Sequence, residues 1–287
     1  MRPHTDDTVE ESIVSTWAKQ PNYRSMDSVD RTSFVDTADA TTADLGNASP
    51  NRWFSFVPMK NRLKTVFLKW SYWLAYRFAA PAVYSRQPFV RYPYMNGPSE
   101  IIEVTKQLLS LDIPGAAVEI GCNQGWTTCF LLEAMLEQGV EREYVCIDTF
   151  TGFTREDVNF EYENRGKTNG MYDDNFIIND PRWLDASMRR FGYSNVRVHK
   201  ADAKSFDYQA LGQIAFALID VDLYRPVKES LERIFPQMAR GGVILIDDCG
   251  GGEGGRWDGA YQAFEEFCED RGILPRIVCQ KIGIIRT

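Results

Sequence analysis

Seven carboxylates stand where apolar runs of this 287-residue chain end: Glu119, Asp148, Asp202, Asp220, Asp222, Asp247 and Asp248. Two of those runs, Ile-Ala-Phe-Ala-Leu-Ile before Asp220 and Gly-Val-Ile-Leu-Ile before Asp247, read as adjacent buried strands. Adjacent strands bring Asp220, Asp247 and Asp248 together, and unpaired carboxylates at short range repel and raise one another's pKa. A divalent cation removes that conflict. Oxygen ligands with no Cys or His cluster nearby suit Mg²⁺ or Ca²⁺, and also Mn²⁺. The structural alternative is that these residues cap helices or pair with Arg225 and Arg256. Asp222 follows Asp220 by two residues, so strand alternation puts both on one face, where Asp222 could take a proton. His4 falls in a polar stretch and His199 inside an apolar run, so neither is a strong rival for that role.

A second group carries binding chemistry. Ala116 to Ile120 is an apolar run holding Glu119, followed by Gly121-Cys122-Asn123-Gln124-Gly125 and then a helix-like run from Cys129 to Gln138. Strand, glycine turn and helix form the first half of a nucleotide-binding βαβ unit. The dinucleotide fingerprint Gly-x-Gly-x-x-Gly is absent, because Asn123 stands at its second glycine. Glu119 would repel a pyrophosphate and suit a cationic ligand group. Asp148 ends the next apolar run, 23 residues beyond Gly125, where a carboxylate can accept both hydroxyl protons of a ribose.

These residues need a scaffold that presents strand ends together. Strands at 116–120, 143–150, 195–202, 214–222 and 242–248 alternate with helices at 99–110, 129–138, 226–240 and 258–271. Two short strands, 276–280 and 282–286, close the chain as an antiparallel pair. The expected fold is α/β: a doubly wound, mostly parallel, seven-stranded Rossmann-like sheet, with its ligand crevice at the carboxyl ends of the strands. Residues 151–180 are polar and too long for a plain connection, so they read as an insertion beside the site.

The pattern Glu119-x-Gly121-x-x-x-Gly125 resembles motif I of class I S-adenosylmethionine-dependent methyltransferases, whose cofactor carries an ammonium and a sulfonium and no phosphate. Asp148-Thr-Phe-Thr-Gly152, Leu-Ile-Asp220-Val-Asp222-Leu-Tyr224 and Ile-Asp247-Asp248-Cys-Gly250 narrow the likeness to the macrocin O-methyltransferase (TylF) family over about residues 95–287. The chain departs from that pattern at Cys249, where an aromatic residue is usual, and in Gly250-Gly251-Gly252. The resemblance implies Mg²⁺-dependent transfer of the methyl of S-adenosylmethionine to a hydroxyl of a small molecule, most simply a sugar of a natural product or glycoside. It implies Asp220, Asp247 and Asp248 as metal ligands and Asp222 as the base. Glu119, Gly121, Asn123, Gly125, Asp148, Thr149, Asp202, Ala203 and Asp220 are the implied cofactor contacts. A homodimer is implied as well.

Composition sets the outer bounds. The chain is 44% hydrophobic with net charge −8, so the whole protein is no general polyanion binder. Residues 1–50 are polar and read as a disordered tail. Residues 51–98 hold basic residues and no acidic one, with 13 of the 37 aromatic residues between 51 and 94. Leu63, Val66, Phe67, Trp70, Leu74 and Phe78 follow helical spacing there, as a helix packed on the catalytic domain or an interface, a substrate lid, or a membrane-surface helix. Lys69 and Arg77 break any membrane span. Residues 99–287 form the methyltransferase-like domain. The six cysteines form no Cys-x-x-Cys pair and read as reduced and structural. A polar N-terminus without an apolar core of a signal peptide points to the cytoplasm. Two alternatives stand beside this reading. One is an NAD-dependent oxidoreductase on the same fold. The other is a protein that binds nucleic acid or membrane through residues 51–94, its methyltransferase fold vestigial; an acidic chain disfavours nucleic acid.

Overall fold

The computed structural model describes Val66, Phe67, Trp70 and residues 98–177, 179–250 and 254–287. The expected tail 1–50 and nearly all of the 51–98 extension lie outside the described residues. Val66, Phe67 and Trp70 are helical and exposed.

The strands are β1 (Ala116–Ile120), β2 (Tyr144–Asp148), β3 (Val196–Lys200), β4 (Ile214–Ile219), β5 (Met238–Ile246), β6 (Arg276–Val278) and β7 (Ile282–Arg286). They form one sheet in the order β3-β2-β1-β4-β5-β7-β6. β1 to β5 are parallel where they pair, and β7 runs antiparallel between β5 and β6. β1 and β4 are buried along their whole length, as central parallel strands covered on both faces must be. The strand order reverses between β1 and β4, which opens a crevice beyond their carboxyl ends.

Helices cover both faces. α1 (Pro98–Leu109) and α2 (Trp126–Glu137) supply Val104, Leu108, Phe130 and Leu131 to one core, joined by Leu184 and Met188 of α4 (Pro181–Phe191). α5 (Tyr224–Ile234) and α6 (Asp258–Asp270) supply Val227, Leu231, Phe264 and Phe267 to the other. α3 (Arg155–Asn164) lies within the polar insertion.

Several boundaries depart from the sequence reading. The helix predicted to reach Arg240 ends at Ile234, because Pro236 cannot donate to a helical carbonyl. β5 therefore starts at Met238 rather than Gly242 and pairs with Ile214. The insertion folds into α3, whose first turn is capped by the Thr154 hydroxyl accepting from the Asp157 N–H. α4 follows it, with Asp180 as its cap, Pro181 in its first turn and Gly192 in left-handed conformation at its end. β4 stops at Ile219, so Asp220 and Asp222 lie past the strand. Among the described residues no helix is long and apolar enough to cross a membrane. All six cysteines are free, and five are buried.

Candidate active site

A cavity of about 340 Å³ occupies the crevice beyond β1, β2 and β4. Gly121, Asn123, Asp148, Thr149, Asp202, Ala203, Asp220, Asp222, Asp247 and Asp248 all line it. The topology thus brings together nearly every site residue expected from the sequence, from five separate loops.

At the β1–β2 end the geometry is backbone-made. Gly121 (φ 94°) passes so close to the loop after β4 that a Cβ there would lie 1.8 Å from the Asp220 carbonyl oxygen. The Asp220 N–H in turn donates to the Ile120 carbonyl at 2.8 Å. Asn123 is also left-handed (φ 46°), and its N–H donates to Asp148 Oδ2 at 2.8 Å. The Phe150 N–H donates to Asp148 Oδ1 at 2.6 Å. Burial pushes the Asp148 carboxyl up, and these two N–H groups pull it back toward the ionised form.

Two expected cofactor contacts do not reach the crevice lining. Glu119 is 2% exposed and sits behind β1, where its Oε2 accepts from the Thr128 hydroxyl and the Tyr144 hydroxyl, each at 2.7 Å. Burial raises its pKa to about 7 despite those bonds, so the residue anchors β1 to β2 and α2. Gly125 caps α2 in left-handed conformation, and a Cβ there would strike the Leu184 side chain. Both residues shape the loop from behind.

The β4–β5 end is a cluster of charge. Ligand atoms of Asp220, Asp222 and Asp248 all lie within 4.8 Å of one another. Asp222 (φ 58°) and Asp248 (φ 60°) are left-handed, a strained choice for Asp that turns both side chains out of their strand paths. The expectation that strand alternation aligns Asp220 with Asp222 therefore fails as a reason. The turn after β4 achieves the convergence instead. Burial, followed by the Asp247 and Asp248 charges, pushes the Asp220 carboxyl well up. Burial, followed by the Asp220 and Asp248 charges, does the same to Asp222.

Asp247 adjoins that triad, and its charge weighs on Asp220 more than that of Asp248 does. It is 6% exposed; its Oδ1 accepts from the Asp248 N–H at 2.9 Å and its Oδ2 from Lys281 Nζ at 2.8 Å. Lys281 also lies 3.2 Å from Asp248 Oδ1. Burial opposes the Lys281 charge, but Asp247 and Asp248 outweigh it and hold the ammonium above its usual range. The sequence reading looked to Arg225 and Arg256 for such pairing. Arg225 instead meets Glu156 at 2.6 Å, and Arg256 donates to the Met171 carbonyl and lies over the Trp257 ring.

The sequence reading missed the rest of the lining. Phe153, Phe176 and Trp257 form one wall, with ring centroids 5.4 to 6.3 Å apart. Asp157 of α3 also lines the cavity and pairs with Lys204 Nζ at 2.6 Å, tying the insertion to the Asp202–Ala203 loop. The capping pattern Thr154-x-x-Asp157 was a signal for α3. Nothing local marked Lys281 or Trp257.

Residues 118–249 match a family described as a methyltransferase domain. The structure of CalS11, a calicheamicin methyltransferase, is similar at TM-score 0.56 and 21% identity, covering 85% of this chain and 99% of that one. The O-methyltransferase NovP is similar at TM-score 0.51 and 16% identity, covering 65% of this chain and 77% of that one. The seven-stranded sheet is the Rossmann-like methyltransferase fold. The match spans less than half of the chain, and the structural likeness shows the fold. A comparison with curated proteins gives no match. The crevice lies at the carboxyl ends of the strands, where open α/β sheets bind ligands, and its lining suits a ligand without phosphate. Among the described residues it presents seven aspartates and one lysine, a field that repels a pyrophosphate.

Proposed function

We propose that this protein is an S-adenosylmethionine-dependent O-methyltransferase that uses Mg²⁺ and acts on a hydroxyl of a small molecule, a sugar of a glycoside being the first candidate. The observation that carries the reading is the convergence of Asp220, Asp222 and Asp248 beside the cofactor crevice. Three partly buried carboxylates at that range fit a hard divalent cation. Asp220 and Asp248 are ligands on both the sequence reading and the geometry. The geometry adds Asp222 to them, and Asp247, the third ligand of the sequence reading, stands beside Asp220. The macrocin O-methyltransferase resemblance, and what the names of NovP and CalS11 say of those proteins, support O-methylation.

Bound in the crevice, S-adenosylmethionine would supply a sulfonium methyl, and Mg²⁺ at the triad would orient the acceptor hydroxyl and lower its pKa. The chain's own residues do the rest by positioning. Asp148 accepts from the ribose hydroxyls, Gly121 and Asn123 shape the loop around the cofactor, and Asp202 with Ala203 borders it. Phe153, Phe176 and Trp257 keep water from the reacting atoms. The cofactor would supply the methyl group and keep the electron pair of its carbon–sulfur bond, and a lining carboxylate of this chain would take the hydroxyl proton. Among the described residues that lining holds no histidine to compete.

The seven lining aspartates weigh against the NAD-dependent alternative. Calorimetry tests the proposal directly: S-adenosylmethionine and Mg²⁺ should each bind, and NAD should not. Full turnover of hydroxyl acceptors in EDTA would end the Mg²⁺ reading. A cytoplasmic homodimer remains our working expectation.

A further inference from the structure

The insertion reaches back from the start of α4 to the loop after β1. Asn179 Nδ2 donates to Asn123 Oδ1 at 3.0 Å, across 56 residues of sequence. Asn179 is 3% exposed, and its own Oδ1 is buried without a partner among the described residues. A buried carbonyl oxygen left unsatisfied destabilises a fold, and an apolar residue of similar size would avoid it. What the amide offers instead is its bond to Asn123.

That bond decides what Asn123 can show a ligand. Asn123 lines the crevice. Its backbone N–H already serves Asp148 Oδ2, and its Oδ1 serves Asn179. Nδ2 is the polar atom its side chain has left, and Nδ2 can only donate. The crevice itself holds the pair in this sense. With both amides turned over, Asn123 would present a carbonyl oxygen to a lining of seven aspartates; as they stand it presents donors to that negative field. The result is a neutral donor among carboxylates. A ligand with an amino-acid end needs one there, because aspartates suit its ammonium and repel its carboxylate.

We propose that Asn179 is a positioning residue for the cofactor: by occupying Asn123 Oδ1 it fixes the Asn123 amide so that Nδ2 meets the carboxylate of S-adenosylmethionine. This rests on the reading of the crevice as the site of that cofactor. The insertion thereby takes part in cofactor recognition through a residue that need not touch the cofactor.

The experiment is calorimetric titration of the full chain with S-adenosylmethionine and with decarboxylated S-adenosylmethionine, which lacks that carboxylate alone. It compares the native protein with Asn179→Leu and Asn179→Ala, each checked for cooperative urea unfolding. If one variant does not fold, the other decides. The native protein should prefer S-adenosylmethionine over its decarboxylated form by at least about tenfold, as a hydrogen bond to a charged group demands. In the variants the preference should shrink to within about threefold, through loss of affinity for S-adenosylmethionine. A merely structural role would weaken both ligands alike and leave their ratio unchanged. An unchanged ratio, or a native protein without preference, overturns the inference and leaves the cofactor reading standing. Native protein that binds neither compound overturns the cofactor reading and the inference with it.

Discussion

At the β1–β2 end of the crevice a single carboxylate, Asp148, has one backbone N–H on each oxygen. At the β4–β5 end Asp220, Asp222 and Asp248 face one another, and burial together with mutual repulsion drives Asp220 and Asp222 toward protonation. The first end is complete as folded. The second holds one cation, Lys281, against four aspartates and is complete only when further positive charge joins it. A binding site for a large organic cofactor can be preorganised by main chain alone. A site that must bring together an ion and a hydroxyl has to keep part of its charge uncompensated.

Substitutions should separate the two ends. The largest effect is expected for Asp220→Ala and Asp248→Ala: turnover should fall by about 10²–10³-fold, and Mg²⁺ in excess should restore part of it by mass action. Cofactor affinity should be retained in Asp248→Ala, and its loss there would erase the distinction between the ends. Asp222→Asn keeps the shape and should cost roughly 100-fold in rate. Steady-state rates against Mg²⁺ concentration decide its role. Rescue supports the ligand assignment, and a rate indifferent to Mg²⁺ returns Asp222 to the base role.

Asp148→Ala should weaken S-adenosylmethionine by about 1–3 kcal/mol while Mn²⁺ affinity stays put. Unchanged cofactor affinity in calorimetry would remove Asp148 from the ribose contact. The last effect is on stability and belongs to Glu119, behind both ends. Its folded pKa of about 7 exceeds the ordinary value of 4.5, so the native state holds the proton more tightly than the unfolded chain. Its stabilising contribution is full below about pH 4.5 and is lost as pH rises through 7. The native protein should lose up to about 3 kcal/mol over that window, at 1.36 kcal/mol per pKa unit. In Glu119→Gln that part of the slope should vanish from urea unfolding curves recorded between pH 4.5 and pH 7.5.

How much of this was legible in the sequence follows from how local each cause is. The β1 loop and Asp148 could be read because fixed spacing in a βαβ unit dictates them. The aspartates after β4 and β5 could be read because strand ends converge in any parallel sheet. Met238 as the start of β5 could not, since the apolar pattern before it continues the helical period and only Pro236 signals the break. Lys281 was invisible, because its partners lie 34 and 33 residues earlier and meet it only through the β5–β7 pairing. Glu119 was legible as a carboxylate in the motif but misplaced, because burial behind β1 depends on Tyr144 and Thr128 together.

The contact between Gly121 and the Asp220 carbonyl has a consequence for how such a protein can diversify. It fixes the distance between the loop after β1 and the carboxylate cluster as a main-chain dimension. On the proposed function, mutations in the aromatic wall or the insertion would reshape the acceptor pocket without altering how far the methyl donor sits from the ion. New acceptors would then become accessible by drift at Phe153, Phe176 or Trp257, while the reach of the transfer would be inherited unchanged. Position 121 itself is closed to that drift, because any Cβ there would push the two loops apart.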